Sequence, residues 1–145
     1  MTISPELLQK FNMLKAGKVY YGEFAKNSSE HAAVVVTVHN GTVHYFCFTS
    51  QELTVKRYSQ KDPLAAVILN KSESDLIFGG QSKQTYIYCG RSNWGHLSEN
   101  EFIKLLSSGK IKLKVELPET LFERIKNAIK NSKTMTKSIL DEIGL

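Results

Sequence analysis

Apolar residues alternate or cluster in short runs through the first two thirds of the chain, and recur at helical spacing mainly toward its ends. Lys18-Val19-Tyr20-Tyr21-Gly22-Glu23-Phe24 reads as a first strand, followed by a polar loop from Ala25 to Glu30. The apolar stretch after it is interrupted by Asn40-Gly41. That pair between two β-branched runs predicts a hairpin, because a type I′ turn needs positive φ at both central residues. With these two residues as the loop, His39 faces Thr42. The same count sets Val36 opposite Tyr45, Val34 opposite Cys47, Ala32 opposite Thr49 and His31 opposite Ser50. Alternation then places Val34, Val36, Val38, Val43, Tyr45 and Cys47 on a core face, with Thr37, His39, Thr42, His44, Phe46 and Phe48 on the other. The end far from the turn gathers Glu30, His31, Thr49, Ser50 and Gln51.

Beyond the hairpin, Glu52–Tyr58 is expected to continue as a short strand. Ala65–Leu69 reads as a buried strand between Pro63 and Asn70, Leu76-Ile77-Phe78 as a run ending at Gly79-Gly80, and Thr85–Cys89 as another strand. Ser98 and Glu101 form a capping-box pattern ahead of a helix carrying Phe102, Leu105 and Leu106, with Gly109 as its stop. Lys110-Ile111-Lys112-Leu113-Lys114-Val115 alternates as a strand with one wet face, lysines outward. Pro118 opens a helix with Leu121, Ile125, Ala128 and Ile129 on one side, and Thr136–Ile143 is a last short helix. At the N-terminus, Ser4 and Pro5 fit the cap and first position of another. There are no repeats and no linker. Short meandering strands with tight turns predict an α+β domain built on a small, strongly bent antiparallel sheet or barrel.

At 145 residues the chain is the size of one domain with a real core. No apolar run is long enough to span a bilayer, and the N-terminus lacks the pattern of a secretory signal. The two cysteines, Cys47 and Cys89, fall in strands without metal-ligand or disulfide spacing and read as buried thiols, which predicts a cytoplasmic protein. The net charge of +5 is uneven: residues 104–137 hold nine Lys or Arg against three Glu. Such a stretch fits a polyanion partner, nucleic acid first, or simply a solvated lysine-rich surface.

Several chemistries are missing. Gly79-Gly80 and Gly90 fit neither nucleotide-binding glycine pattern. No His, Cys or Asp set has zinc spacing, and no other cofactor motif is present. His39 and His44 flank the turn without a carboxylate and read as exposed. Ser50 beside His31 lacks an orienting carboxylate and the glycines of a nucleophile elbow, which argues against acyl transfer.

Four stretches, taken in order, resemble the MazF/PemK (Kid-type) toxin family, a small SH3-like barrel. Its opening strand has the form G-x-(I/V)-(Y/W)-x-x-(D/E)-(F/L), matched by Gly17-Lys18-Val19-Tyr20-Tyr21-Gly22-Glu23-Phe24. A strand R-P-x-L-V-V is matched in register by His31-Ala32-Ala33-Val34-Val35-Val36. A strand ending in T-S is matched by Cys47-Phe48-Thr49-Ser50. A strand before a G-x-L-S-x-x-(E/D) helix is matched by Thr85–Cys89 and Gly95-His96-Leu97-Ser98-Glu99-Asn100-Glu101. ToxN, a more distant relative, similarly has a hairpin ending in Thr-Ser. The resemblance spans roughly Gly17 to Leu106; residues 110–145 are an added C-terminal strand and helices in the same single domain, 1–145.

The resemblance implies a metal-independent endoribonuclease that cleaves single-stranded RNA by 2′-OH attack, with an antitoxin protein or RNA and a homodimer as further partners and with no cofactor. It implies a site at His31, Thr49 and Ser50. The family's Arg-Pro is His31-Ala32 here, so His31 transfers a proton while Lys26, Lys56 or Arg57 supplies charge, or the chain is a degenerate relative that no longer cuts. His31 also fits a strand-end histidine bonded to a carbonyl, and Thr49 and Ser50 fit polar residues closing a strand. The alternative function is a non-catalytic module binding RNA or a protein through Lys110, Lys112 and Lys114 and exposed aromatics such as Tyr20, Phe48 or Trp94.

Overall fold

The computed structural model of the protein describes residues 14–26, 28–79 and 84–145; the helix expected from Ser4 and Pro5 lies outside them. At the centre of the fold Asn40 and Gly41 take φ of 51° and 76°, the positive values a type I′ turn requires. They join β2 (His31–His39) to β3 (Thr42–Thr49). Around this hairpin stand β1 (Lys18–Gly22), β4 (Ala66–Ile68), β5 (Tyr86–Tyr88), β6 (Trp94–Ser98) and β7 (Ile111–Glu116). The helices are α1 (Glu52–Lys61), α2 (Lys71–Phe78), α3 (Glu99–Ser107), α4 (Glu119–Asn131) and α5 (Lys137–Ile143). The architecture is α+β, with one seven-stranded antiparallel sheet in the order β4-β5-β3-β2-β1-β7 and β6 also on β3. Its outer strands β4 and β7 do not meet, so the sheet is open among the described residues.

The free edge of β3 is divided between two neighbours: Thr42–Phe46 pairs with β6, and Phe48–Thr49 pairs with β5. The turn register holds only as far as Thr37–His44. Beyond it the pairs are Val35–Tyr45, Val34–Phe46 and Ala33–Cys47, because a bulge at Val36 adds one residue to β2. The bulge also reverses the alternation. Val34 and Val36 join Phe46 and Phe48 in one core, whereas Val38 goes with Val43, Tyr45 and Cys47 in another. The expected single core face is therefore two. The first packs on Leu121, Ile125 and Ile129 of α4 and on Ile139 and Ile143 of α5. The second packs on Phe102 and Leu106 of α3, with Tyr20 and Phe102 in an edge-to-face contact at 5.1 Å. Burial on both faces explains why Ala32–Val36 is apolar without interruption.

One local expectation fails for an identifiable reason, and two neighbouring elements are defined only by the structure. Glu52–Tyr58 is helix α1, not a strand. Gln51, Thr54, Val55 and Tyr58 share one of its sides at helical spacing, Glu52 and Lys56 pair at i,i+4 over 3.2 Å, and Leu53, which suggested alternation, is 81% exposed. Leu76-Ile77-Phe78 ends helix α2, whose start is a capping box in which Asn70 and Glu73 each accept the other's amide at 2.9 Å. Gly79 stops it with φ 61°. Trp94–Ser98 is strand β6, in which Gly95 leaves room for the ring of Tyr45 that a Cβ would meet at 2.4 Å.

The C-terminal segment is part of the core. β7 pairs with β1, and Leu121, Ile125, Ala128 and Ile129 of α4 are buried as the spacing predicts. The Thr37 hydroxyl donates to the Ile143 carbonyl at the end of α5, satisfying one of the acceptors a helix end leaves open. No helix among the described residues is long and apolar enough to cross a membrane.

Candidate functional site

Where the hairpin strands end, away from Asn40-Gly41, they open into a cleft of about 430 Å³. Its floor is the start of β2 and the end of β3: Glu30, His31, Ala32, Cys47, Phe48, Thr49 and Ser50. α1 supplies one wall through Gln51, Thr54, Val55 and Tyr58, and Phe78, Tyr88, Ser92 and Asn93 complete it. His31, Thr49 and Ser50 are thus brought together, though not in the expected pairing. The bulge at Val36 moves the register by one, so that beyond Ala33–Cys47 His31 falls in line with Thr49 instead of Ser50.

The hydroxyls differ in their freedom. Thr49 Oγ1 accepts the Gln51 amide at 3.1 Å, and Thr54 donates to Gln51 Oε1 at 3.3 Å, so Thr49 also fixes the strand-to-helix junction. Ser50 is exposed, and its hydroxyl has no partner among the described residues. Ser29 Oγ lies 3.1 Å from His31 Nε2, which steadies the imidazole while leaving Nδ1 open. Cys47 lines the cleft, but burial pushes its thiol up to about 11, so it is a protonated wall group and not a nucleophile. Cys89 is buried, and burial raises its thiol as well; both cysteines are free.

The aromatic wall is braced from behind. Tyr58 stacks on Tyr88 with ring centroids 4.2 Å apart. Tyr88 donates to Asp62 Oδ2 at 2.9 Å, Lys133 N donates to Oδ1 at 2.9 Å, and Ser132 donates to Oδ2 as well. Burial alone would raise the Asp62 carboxyl, but these three donors outweigh it and hold the group below its ordinary value. Asn93 Nδ2 bridges the carbonyls of Cys47 and Tyr88 at 2.9 and 2.7 Å, tying the floor to the wall.

The cations expected to serve this site are dispersed. No lysine or arginine is among the described residues lining the cleft. Lys56 lies on the far side of α1 from the lining positions and is paired with Glu52; Arg57 is exposed on the same helix. Lys26 and Lys110 border a separate groove floored by Phe24, Leu97 and Leu105. Lys110, Lys112 and Lys114 are all exposed, as the alternation predicts. Their apolar neighbours do not share a face, however: Ile111 and Leu113 enter the α3 core and Val115 the α4 core.

His44, expected at the surface, is 1% exposed, and of the aromatics expected there Tyr20 and Phe48 are buried, one in each core. Trp94 Nε1 donates to His44 Nδ1 at 3.0 Å, and His44 Nε2 is buried without a partner among the described residues. Burial, with His96 nearby, lowers its pKa. No group of three or more His, Cys, Asp or Glu among the described residues is arranged to hold a metal.

Sequence reasoning missed Tyr58, Phe78 and Asn93 as cleft residues. The i, i+3, i+4, i+7 spacing of Gln51, Thr54, Val55 and Tyr58 was the available signal for the first. No protein-family model matches the chain, and no curated protein matches it.

Proposed function

We propose that the cleft binds single-stranded RNA and cuts it by intramolecular transesterification, as the resemblance to the MazF/PemK toxins and their SH3-like barrels implies. The observation that carries this reading is the meeting of His31, from the start of β2, with Thr49 and Ser50, from the end of β3, in one open cleft.

The chemistry needs a proton acceptor at the 2′-OH, a donor at the leaving O5′, and donors at the phosphate oxygens. The 2′-oxygen attacks the adjacent phosphorus, the P–O5′ bond breaks, and the products are a 2′,3′-cyclic phosphate and a 5′-OH. The proton lost by the 2′-OH is taken up by His31, and the resulting imidazolium gives it to O5′ as the P–O5′ bond breaks, so His31 is regenerated and no water is consumed. Histidine in place of the family's arginine gives up a permanent bidentate grip on phosphate and gains a ring nitrogen that can accept and return a proton. The hydroxyls of Ser50 and Thr49 supply donors to the phosphate oxygens, Ser50 at no cost to any other bond.

The test is incubation of the full chain with mixed-sequence RNA in the presence of a chelator, with end-group analysis of the products. The reading predicts fragments with 5′-OH and cyclic phosphate ends. RNA that is retarded on a gel but stays intact would contradict cutting and favour the non-catalytic alternative, in which the exposed Lys110, Lys112 and Lys114 hold RNA by charge.

A further inference from the structure

Cleavage without a permanent cation at the phosphate is poorly supported electrostatically, and the described lining of the cleft contains none. An irregularity in the sheet brings one to its rim. β1 and β7 pair as Val19–Val115 and then Tyr20–Leu113, leaving Lys114 as the extra residue of a bulge. Bulges re-aim side chains and increase local twist. Here Leu113 turns to the α3 core and Val115 to the α4 core. Lys112 pairs with Tyr21, which pairs with Ala32 of the cleft floor; side chains of directly paired residues lie on one face of a sheet. Lys114 projects toward that face. Its Nζ stands 5.3 Å from the ring centroid of Tyr21 and 6.0 Å from that of Phe78.

Both rings belong to the cleft's edge. Phe78 lines it, and Tyr21 donates its hydroxyl to Glu30 Oε2, itself a lining residue, at 3.0 Å. A cation resting on ring faces keeps its N–H donors unspent, and Lys114 has no carboxylate partner among the described residues. Glu30 adds negative charge at the same rim, which an incoming phosphate meets as repulsion unless a cation offsets it.

We infer that Lys114 is the phosphate-binding cation of the cleft, held on the Tyr21 and Phe78 rings until RNA arrives and then bound to a phosphate oxygen at the rim. This rests on the reading of the cleft as an RNA site. It assigns a role to the bulge in β7, a strand outside the stretch that resembles the toxins.

The experiment measures binding of a mixed-sequence single-stranded RNA that is 2′-O-methylated at every residue, so that it cannot be cut by 2′-OH attack. Affinity is followed by anisotropy from about 50 to 200 mM salt. Losing one phosphate contact to a single strand lowers the log–log salt slope by about 0.7. Lys114→Gln should show that loss and should cut unmodified RNA more slowly. Lys114→Arg should keep the parent slope, and so should Lys104→Gln, an equal charge change on α3, across the sheet. An unchanged slope in Lys114→Gln, or an equal loss in Lys104→Gln, would overturn the assignment even if the parent cuts RNA. A parent that binds with the expected pattern yet leaves unmodified RNA intact would overturn the cutting reading and keep Lys114 as the phosphate contact. A parent that does not bind the probe would overturn both.

Discussion

Trp94 donates its indole N–H to Nδ1 of His44 over 3.0 Å. The bond requires Nδ1 to be an acceptor, so the folded protein holds His44 neutral with its proton on Nε2. Protonation would set two N–H groups against each other in a buried site. The pKa of His44 is accordingly lowered, by burial first and by His96 next. His39 also opposes the charged form, while Glu142 favours it. A histidine with a folded pKa below its unfolded value binds fewer protons folded than unfolded, so stability rises with pH. The contribution is complete above about 6.5, the unfolded value, and is lost as pH falls through the folded one. Urea midpoints should be flat from pH 8 to about 7 and should decline below about 6.5. His44→Phe should cost about 1–3 kcal/mol at pH 8, because Trp94 loses its acceptor, and should flatten the decline. Equal pH slopes in parent and variant would exclude His44 as their source.

Arg124 Nη1 contacts both carboxylate oxygens of Glu73, at 3.1 and 2.9 Å, and its Nη2 donates to the Ile68 carbonyl at 2.9 Å. The bonds tie α4 to the start of α2 and to β4. Arg124 is about half exposed, so solvent screens the pair, but Glu73 is nearly buried and needs its donors. Arg124→Met should lower stability by about 1–2 kcal/mol, read as a shift in urea midpoint at constant m-value. Arg124→Lys should recover little, since an ammonium cannot span both contacts.

Gly22 and Gly41 both have positive φ, at 147° and 76°, but only one is hemmed in. A Cβ on Gly22 would lie 1.9 Å from the Lys110 carbonyl oxygen, whereas one on Gly41 would meet nothing within 4 Å. Gly41→Ala should cost about 1 kcal/mol of backbone strain. Gly22→Ala should cost about 2–3 kcal/mol, lowering Tm by roughly 5–10 °C. Equal melting temperatures for the two variants would mean that β1 and β7 separate readily at that point.

The contrast between Gln51–Lys61 and Pro118–Asn131 shows what was legible in the chain. The second segment has a proline start and four apolar positions at helical spacing, and its buried residues are the expected ones. The first carries β-branched Thr54 and Val55 and an apolar alternation at Leu53 and Val55, so local preference pointed to a strand; packing of one side against the cleft overrode it. The hairpin turn was readable because Asn-Gly has few other uses. The bulge at Val36 was not, since a run of valines gives no sign of which residue is extra. That one residue separates the expected His31–Ser50 pairing from a register that, continued past Ala33–Cys47, sets His31 in line with Thr49. The buried His44 was unreadable for a similar reason: its shelter comes from β6, a short strand around Gly95 that resembles a loop.

The central claim is that His31 exchanges the proton during RNA cutting. His31 is exposed at a strand end, so replacing it removes little packing and should leave the urea midpoint within about 0.5 kcal/mol of the parent. The most direct measurement is the single-turnover cleavage rate of one RNA, in chelator, by the parent and by His31→Gln. General acid–base help from one side chain is worth about 10²–10⁴ in rate. The account predicts a loss of that size with folding intact; a His31→Gln protein that cuts as fast as the parent would contradict it.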